Sequence, residues 1–390
     1  MSQTRNPQLT YGATAFRLGW REWLVVLGIV GLTSWLVPVV WPNIEKFKPD
    51  SEYRVPYELS RDYWLYEQRL KQGVADLNAI PVVGDSVIWG EYVNREATLS
   101  HYLNQLEFSG DARFFNGGLN GLFPLALEGL IRYYASPLQQ RSVILHCNLL
   151  WLSSAEVDLS SPKEQRFNHP RLVPQIIHRL PSYRAKAAQR LGIVIERRMV
   201  FLQWAQHLRS AYFSHQSFPE WTLLADDQDP RYFPNTYRNP CRQFHSRLGV
   251  AELPDPQRGE DSARHRPWYG EQPREGTRSF EWVPLEQSLQ WQAFTRLVEL
   301  LRARDNSIFV LIGPFNQHVM APEKRPIFLS IRKQVAEWLI QEDIPHARPD
   351  PLPSRLYGDA SHPLTEGYAR LASGLQNDQG FQNWLSESLR

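Results

Sequence analysis

The polar and apolar positions of this chain fall into three zones. Residues 23–41 carry no charge at all, a run of roughly 19 residues and about the length a helix needs to cross hydrocarbon. Trp23 and Trp41 stand at its two ends, where membrane interfaces favour tryptophan. Arg5, Arg17 and Arg21 precede it with only Glu22 against them, whereas Glu45, Lys46 and Lys48 follow. That bias predicts residues 1–22 on the cytoplasmic side and the remaining chain on the outer, periplasmic or extracellular, side. Residues 37–42 offer no small-residue cleavage pattern, so the expectation is an uncleaved anchor and not a signal peptide.

Beyond a polar, proline-punctuated linker over 42–56, Leu59, Tyr63, Tyr66 and Leu70 recur at helical spacing and predict a helix over 58–74. The pattern then alternates: an apolar run at 80–83, a helix over 92–106, a short strand at 113–115, a helix over 124–134 and an apolar run at 143–150. After a long departure, Leu289, Ala293, Leu297 and Leu301 lead into the run 308–312 and the turn Gly313-Pro314. A helix over 327–341 shows the stripe Phe328, Ile331, Val335 and Trp338; a short extended segment and a helix over 365–375 close the chain. Strands alternating with helices predict an α/β domain over 57–390, with a parallel sheet and crossover helices. The departure, about 153–284, reads as an insertion with one helix over 191–213 and a Pro, Gly, Arg and Asp-rich remainder. Its length exceeds what a structureless loop in a compact domain tolerates, which leaves a lid, a substrate cradle or a solvated decoration.

Composition narrows the function classes. The 390 residues carry a formal net charge of +2 with alternating sign, and no basic block is interleaved with aromatics, so nucleic acid is not an expected partner. The two cysteines, Cys147 and Cys241, make no disulfide framework, and Cys147 lies in an apolar run that predicts a buried, inert thiol. His146, His169, His178, His215 and His245 lack metal-ligand spacing; neither a metal nor a cofactor is expected.

The chemistry concentrates at strand ends. An apolar strand running into Gly84-Asp85-Ser86 presents a hydroxyl at a strand's carboxyl end, where open α/β sheets place their sites. Serine needs a base, and Asp359-Ala360-Ser361-His362 supplies an imidazole with a carboxylate three residues before it. Acyl transfer also needs donors aimed at an oxyanion. The glycine-rich turn at 116–121 and the Asn148 amide are the candidates. In duller roles Ser86 would cap a helix, and Asn148 its own turn.

These four blocks, in this order, resemble the SGNH, or GDSL-like, hydrolase superfamily. Three positions depart from its pattern: the third block reads His146-Cys147-Asn148-Leu149, without the usual glycine and aspartate, and Val87 replaces a leucine. The resemblance implies a flavodoxin-like three-layer α/β/α fold, Ser86 as nucleophile, His362 as base, Asp359 as its orienting partner, and an oxyanion held by the Ser86 and Gly121 N–H groups and the Asn148 amide. Anchored relatives of this kind act on acylated, typically acetylated, cell-envelope carbohydrate, often beside a multi-span membrane acyltransferase. The expected protein is therefore a membrane-anchored serine esterase or O-acyltransferase. The alternative is a catalytically silent scaffold of the same fold that binds polysaccharide or a membrane partner.

Overall fold

The computed structural model describes residues 18–45, 49–108, 111–163, 169–176, 180–212 and 277–389. The Pro, Gly, Arg and Asp-rich part of the insertion lies outside them, as do His178, His215, Cys241 and His245. Five strands form one all-parallel sheet: β1 (Ala79–Gly84), β2 (Arg113–Gly118), β3 (Ser142–Cys147), β4 (Ser307–Ile312) and β5 (His346–Ala347). The spatial order is β2-β1-β3-β4-β5, the flavodoxin-like order. Its reversal point lies between β1 and β3, directly beside the Gly84-Asp85-Ser86 turn.

Alternation along each strand builds two cores. Val83, Phe115, Val143, Leu145, Val310 and Ile312 face one side. There they meet α2 (Tyr63–Gly73), α5 (Pro124–Tyr134), α8 (Leu289–Arg302) and α9 (Arg325–Gln341). Ile80, Val82, Phe114, Ile144, Phe309 and Leu311 face the other. They are covered by α4 (Leu99–Gln105), α10 (Thr365–Gln376) and α11 (Gln379–Ser388). The helices on both faces account for strands that are apolar on both faces.

Boundaries moved where a side chain captures a backbone group. The helix expected over 58–74 starts at Tyr63, because Asp62 accepts from the Leu65 N–H at 3.1 Å; residues Tyr57–Leu59 form a separate 3-10 turn. The run 143–150 leaves the sheet at Cys147, and Asn148 Oδ1 accepts from the Leu150 N–H at 3.0 Å to open a tight turn. The helix expected over 92–106 shortens to α4, with Thr98 as its cap.

The described part of the insertion contains α6 (Ala187–Arg198) and α7 (Val200–Ala211), two helices broken at Met199 where one was expected. Leu159, Leu172, Val173, Leu180, Tyr183 and Tyr212 join the first core, so this part is built into the domain. Its base is closed by a hydrogen bond from the Val283 N–H to the Leu152 carbonyl, 2.9 Å.

The N-terminal helix α1 (Trp20–Glu45) is 26 residues long and apolar enough to cross a membrane, with most of its side chains exposed. Its last turns pack on the domain. Trp41 meets Trp204 edge-on at 5.4 Å, and buried Glu45 lies 2.9 Å from His207 Nε2.

Candidate active site

β1 ends in Gly84, and the chain turns at once into the short helix α3 (Ser86–Trp89). Glycine is required at 84: a Cβ there would come within 2.5 Å of the Ile88 side chain and 2.7 Å of His146 Cβ. Asp85, not Ser86, caps α3, accepting from the Val87 N–H at 2.9 Å. This leaves the Ser86 hydroxyl uncommitted to capping, on the first turn of the helix and partly exposed.

Ser86 Oγ lies 2.8 Å from His362 Nε2, a contact between residues 276 positions apart in the chain. The other ring nitrogen, Nδ1, lies 2.7 and 2.8 Å from the two Asp359 oxygens and donates to that carboxylate. Asp359 Oδ1 also accepts from the Ser361 and His362 N–H groups, both at 2.9 Å. Tyr92 donates its hydroxyl to Oδ2 at 3.1 Å and sets its ring edge-on to the imidazole at 5.3 Å. The loop carrying both residues hangs from the end of β4: Asn316 donates its N–H to the Ala360 carbonyl, 2.9 Å, and its amide to the Asp359 carbonyl, 3.3 Å.

Electrostatics follow from these contacts. Burial drives the Asp359 carboxyl up, but His362 and the two backbone donors outweigh it and hold the group well below the usual carboxylate range. Burial lowers His362, and the adjacent Asp359 more than offsets this, so the imidazole keeps its proton to a higher pH than an ordinary histidine. Burial and the neighbouring Asp359 together push the Tyr92 phenol up.

Asp85 ties the first and third blocks together. Its Oδ2 accepts from Asn148 Nδ2 at 2.8 Å and from Trp151 Nε1 at 3.1 Å. His146 Nδ1 lies 3.1 Å from Oδ1, off the hydrogen-bonding direction, so that contact is electrostatic. His146 Nε2 donates to the Gly313 carbonyl at 3.1 Å. Burial raises Asp85, and His146 and the Asn148 amide overcome this and lower it. Asn148 is thus buried, with Oδ1 on its own turn and Nδ2 on Asp85.

The glycine block leaves β2 beside the same turn. Gly118 pairs in register with Gly84, and the Leu119 N–H donates to the Gly84 carbonyl at 3.2 Å. Gly121 has a φ of 73°, a left-handed conformation that favours glycine. Its turn is held by a residue of the insertion. His169 Nε2 donates to the Asn120 carbonyl at 2.7 Å, and Nδ1 accepts from the Tyr63 hydroxyl at 3.1 Å. Burial lowers His169 to about 4, which keeps the ring neutral and the tautomer fixed. The Asn120 side chain donates to Glu91.

Ser86, His362 and Asp359 are therefore brought together, and Asn148 and Gly121 lie in the turns just beyond the carboxyl ends of β3 and β2, the strands flanking β1. Sequence patterns gave no sign of Tyr92, His169 or the hub role of Asp85, because each acts through a contact between distant segments. Cys147, read as a buried thiol, is 2% exposed, and burial pushes its pKa up. A separate cleft of about 720 Å³ lies between α5 and α6; Arg132, Tyr133, Gln175, Arg197, Arg198 and Arg296 line it, and none of the three relay residues does.

Fold and site define an open α/β protein with a hydrogen-bonded serine–histidine–aspartate chain at the reversal point of its sheet. No family model matches the chain, and no curated protein matches it.

Proposed function

We propose that this protein is a membrane-anchored serine esterase or O-acyltransferase that works through an acyl-Ser86 intermediate on an acylated cell-envelope carbohydrate. The observation that carries the reading is the convergence of Ser86 Oγ, His362 Nε2 and Asp359 within hydrogen-bonding distance from opposite ends of the chain. In this mechanism the Ser86 oxygen attacks the ester carbonyl while His362 Nε2 takes its proton. Asp359, donating nothing itself, stabilises the imidazolium. Collapse of the tetrahedral intermediate breaks the bond to the alcohol, which leaves with the proton from His362. Water or a carbohydrate hydroxyl then attacks the acyl-serine with His362 as base, and the acyl group is hydrolysed or transferred.

The Ser86 and Gly121 N–H groups and the Asn148 amide are the proposed oxyanion donors; losing one typically costs about 10² to 10³ in rate. The apolar helix α1 supports a location at a membrane. The SGNH-like blocks support acyl chemistry on carbohydrate, with a multi-span membrane acyltransferase as acyl source when the reaction is a transfer.

The test is intact-mass labelling of the full-length chain in detergent with a fluorophosphonate probe; the full chain is needed because Glu45 is part of the folded domain. One adduct is expected, absent from Ser86→Ala and His362→Ala. A folded parent that takes no adduct would overturn the enzyme reading. The second reading, a silent glycan-binding scaffold, is favoured by the arginine-lined cleft between α5 and α6. Polysaccharide binding unaffected by Ser86→Ala, in a parent without esterase turnover, would establish it.

A further inference from the structure

Helix α6 is built the wrong way round for a soluble surface. Its inward face buries Ile193 and Arg197, the latter donating to the Arg171 and Val173 carbonyls. Its outward face carries Ala187, Ala188, Leu191, Gly192 and Ile195 and continues into the corner Met199–Val200. Leu191 is 54% exposed, Ile195 43%, Met199 46% and Val200 55%. A surface helix ordinarily turns its polar residues outward. The only acid on α6, Glu196, is paired with Arg171, while Arg184, Lys186 and Arg198 stand exposed around the stripe.

The place of this stripe in the fold says what covers it. Helix α7 lies alongside the end of α1, with His207 against Glu45 and Trp204 against Trp41. Passing from His207 to Trp204 therefore moves back along α1 toward its apolar body. Val200 lies one helical turn further, about 6 Å beyond Trp204 in that direction. Pro38, two helical turns before Glu45, is the other buried residue of α1. The corner between α6 and α7 thus sits level with the uncharged stretch of α1, and a bilayer that receives α1 up to Trp41 also receives the corner.

We propose that the α6–α7 corner and the outward stripe Leu191, Ile195, Met199 and Val200 seat in the bilayer interface beside α1, with Arg184, Lys186 and Arg198 against anionic lipid headgroups. An apolar face flanked by basic residues is the pattern of an interfacial helix. The domain is then attached to the membrane at two places, which fixes its rotation about α1 and the height of Ser86 above the headgroups. The inference rests on α1 as a membrane span and is independent of the chemistry at Ser86.

The test adds one cysteine at a time, in a Cys241→Ser background that keeps the buried Cys147 and is itself the labelling blank, at Val30, Leu191, Ile195, Val200 and Gln379 of the full-length chain. The chain is reconstituted in nanodiscs of equal parts phosphatidylcholine and phosphatidylglycerol, and each cysteine is labelled with an environment-sensitive nitrobenzoxadiazole dye. Blue-shifted emission and quenching by spin-labelled lipid are expected at Leu191, Ile195 and Val200, as at the Val30 control, and neither at Gln379. Aqueous emission at all three stripe positions with Val30 quenched would overturn the interfacial seat while leaving the span intact. Blue-shifted emission that lipid quenchers do not reach would put a second copy of this chain on the stripe and overturn the lipid assignment. An unquenched Val30 would remove the span and the proposal with it.

Discussion

The peptide between Asn120 and Gly121 shows how one side chain outside the relay can govern it. Its N–H is a proposed oxyanion donor, and its carbonyl accepts from His169 Nε2 at 2.7 Å. A hydrogen bond to the carbonyl both fixes the peptide plane and polarises the N–H at its other end. His169→Phe is expected to lower kcat about tenfold with KM nearly unchanged, since a donor is misplaced and not removed. His169→Gln, which keeps an amide donor, should recover part of the loss; equal kcat in all three proteins on a short-chain acyl ester would refute the argument. Tyr92 acts on the base instead. Its hydroxyl shares the Asp359 carboxylate with the imidazole, so Tyr92→Phe leaves more negative charge for the imidazolium. In the proposed mechanism the general base must be neutral, so the raised His362 pKa would set where activity falls on the acid side. The variant should move that acid limb upward by about half a pH unit. A pH–rate profile with the limb unmoved or lowered would count against this coupling.

Elements are stabilised across the chain in a comparable way, and the insertion supplies one of the key caps. Fully buried Asp158 accepts from the Leu289 and Gln290 N–H groups at the start of α8, both at 3.1 Å, and from the Ser288 hydroxyl. Asp158→Ala leaves these buried donors unsatisfied and should cost about 1–3 kcal/mol in urea unfolding; a loss within error of zero would mean that water replaces the cap. Such contacts also explain what the sequence could disclose. β1, β3 and β4 were legible because apolar runs of this length have few other uses, whereas β2 was read only to Phe115 and β5 only as extended chain, since Asn116-Gly117-Gly118 and His346-Ala347 make no such run. The helix expected over 124–134 is α5 end to end, helped by Pro124 at its first position. The break at Met199 carries neither proline nor glycine, and the capping of α11 by Asp378 depends on a single bond to the Phe381 N–H, 2.8 Å, so neither was read. The relay residues were legible because a serine at a strand end and an Asp-x-x-His pair have a recognisable chemical spacing. The supporting contacts, Asp85 to Asn148 and Trp151 and His169 to Asn120, exist only once the sheet brings separate segments together.

On the scale of the whole molecule, two buried histidines set opposite limits on stability. His207 lies between Asp62, 2.7 Å from Nδ1, and Glu45, 2.9 Å from Nε2, with Tyr212 donating to the same Glu45 oxygen and Trp64 against its ring. Burial alone would lower it, but the two carboxylates prevail and raise it to about 9. Its contribution, on the order of 3 kcal/mol, is fully present below pH 6.5 or so and is lost as pH rises toward about 9. His169 has the reverse sign. Held neutral down to about 4, it costs stability as pH falls below the ordinary histidine range, because the unfolded chain takes up a proton that the fold refuses. Asp85 and Asp359, both lowered, add to the acid side. Stability should therefore peak near pH 6.5 and fall on either side. His207→Gln should lower the peak and reduce the alkaline limb to the share that His362, also raised, contributes, while leaving the acid limb in place. Urea unfolding of the full-length chain in detergent, followed by tryptophan fluorescence from pH 5 to 9, reads both limbs; an alkaline slope of equal size in parent and variant would show that the Glu45–His207–Asp62 cluster does not couple the end of α1 to folding.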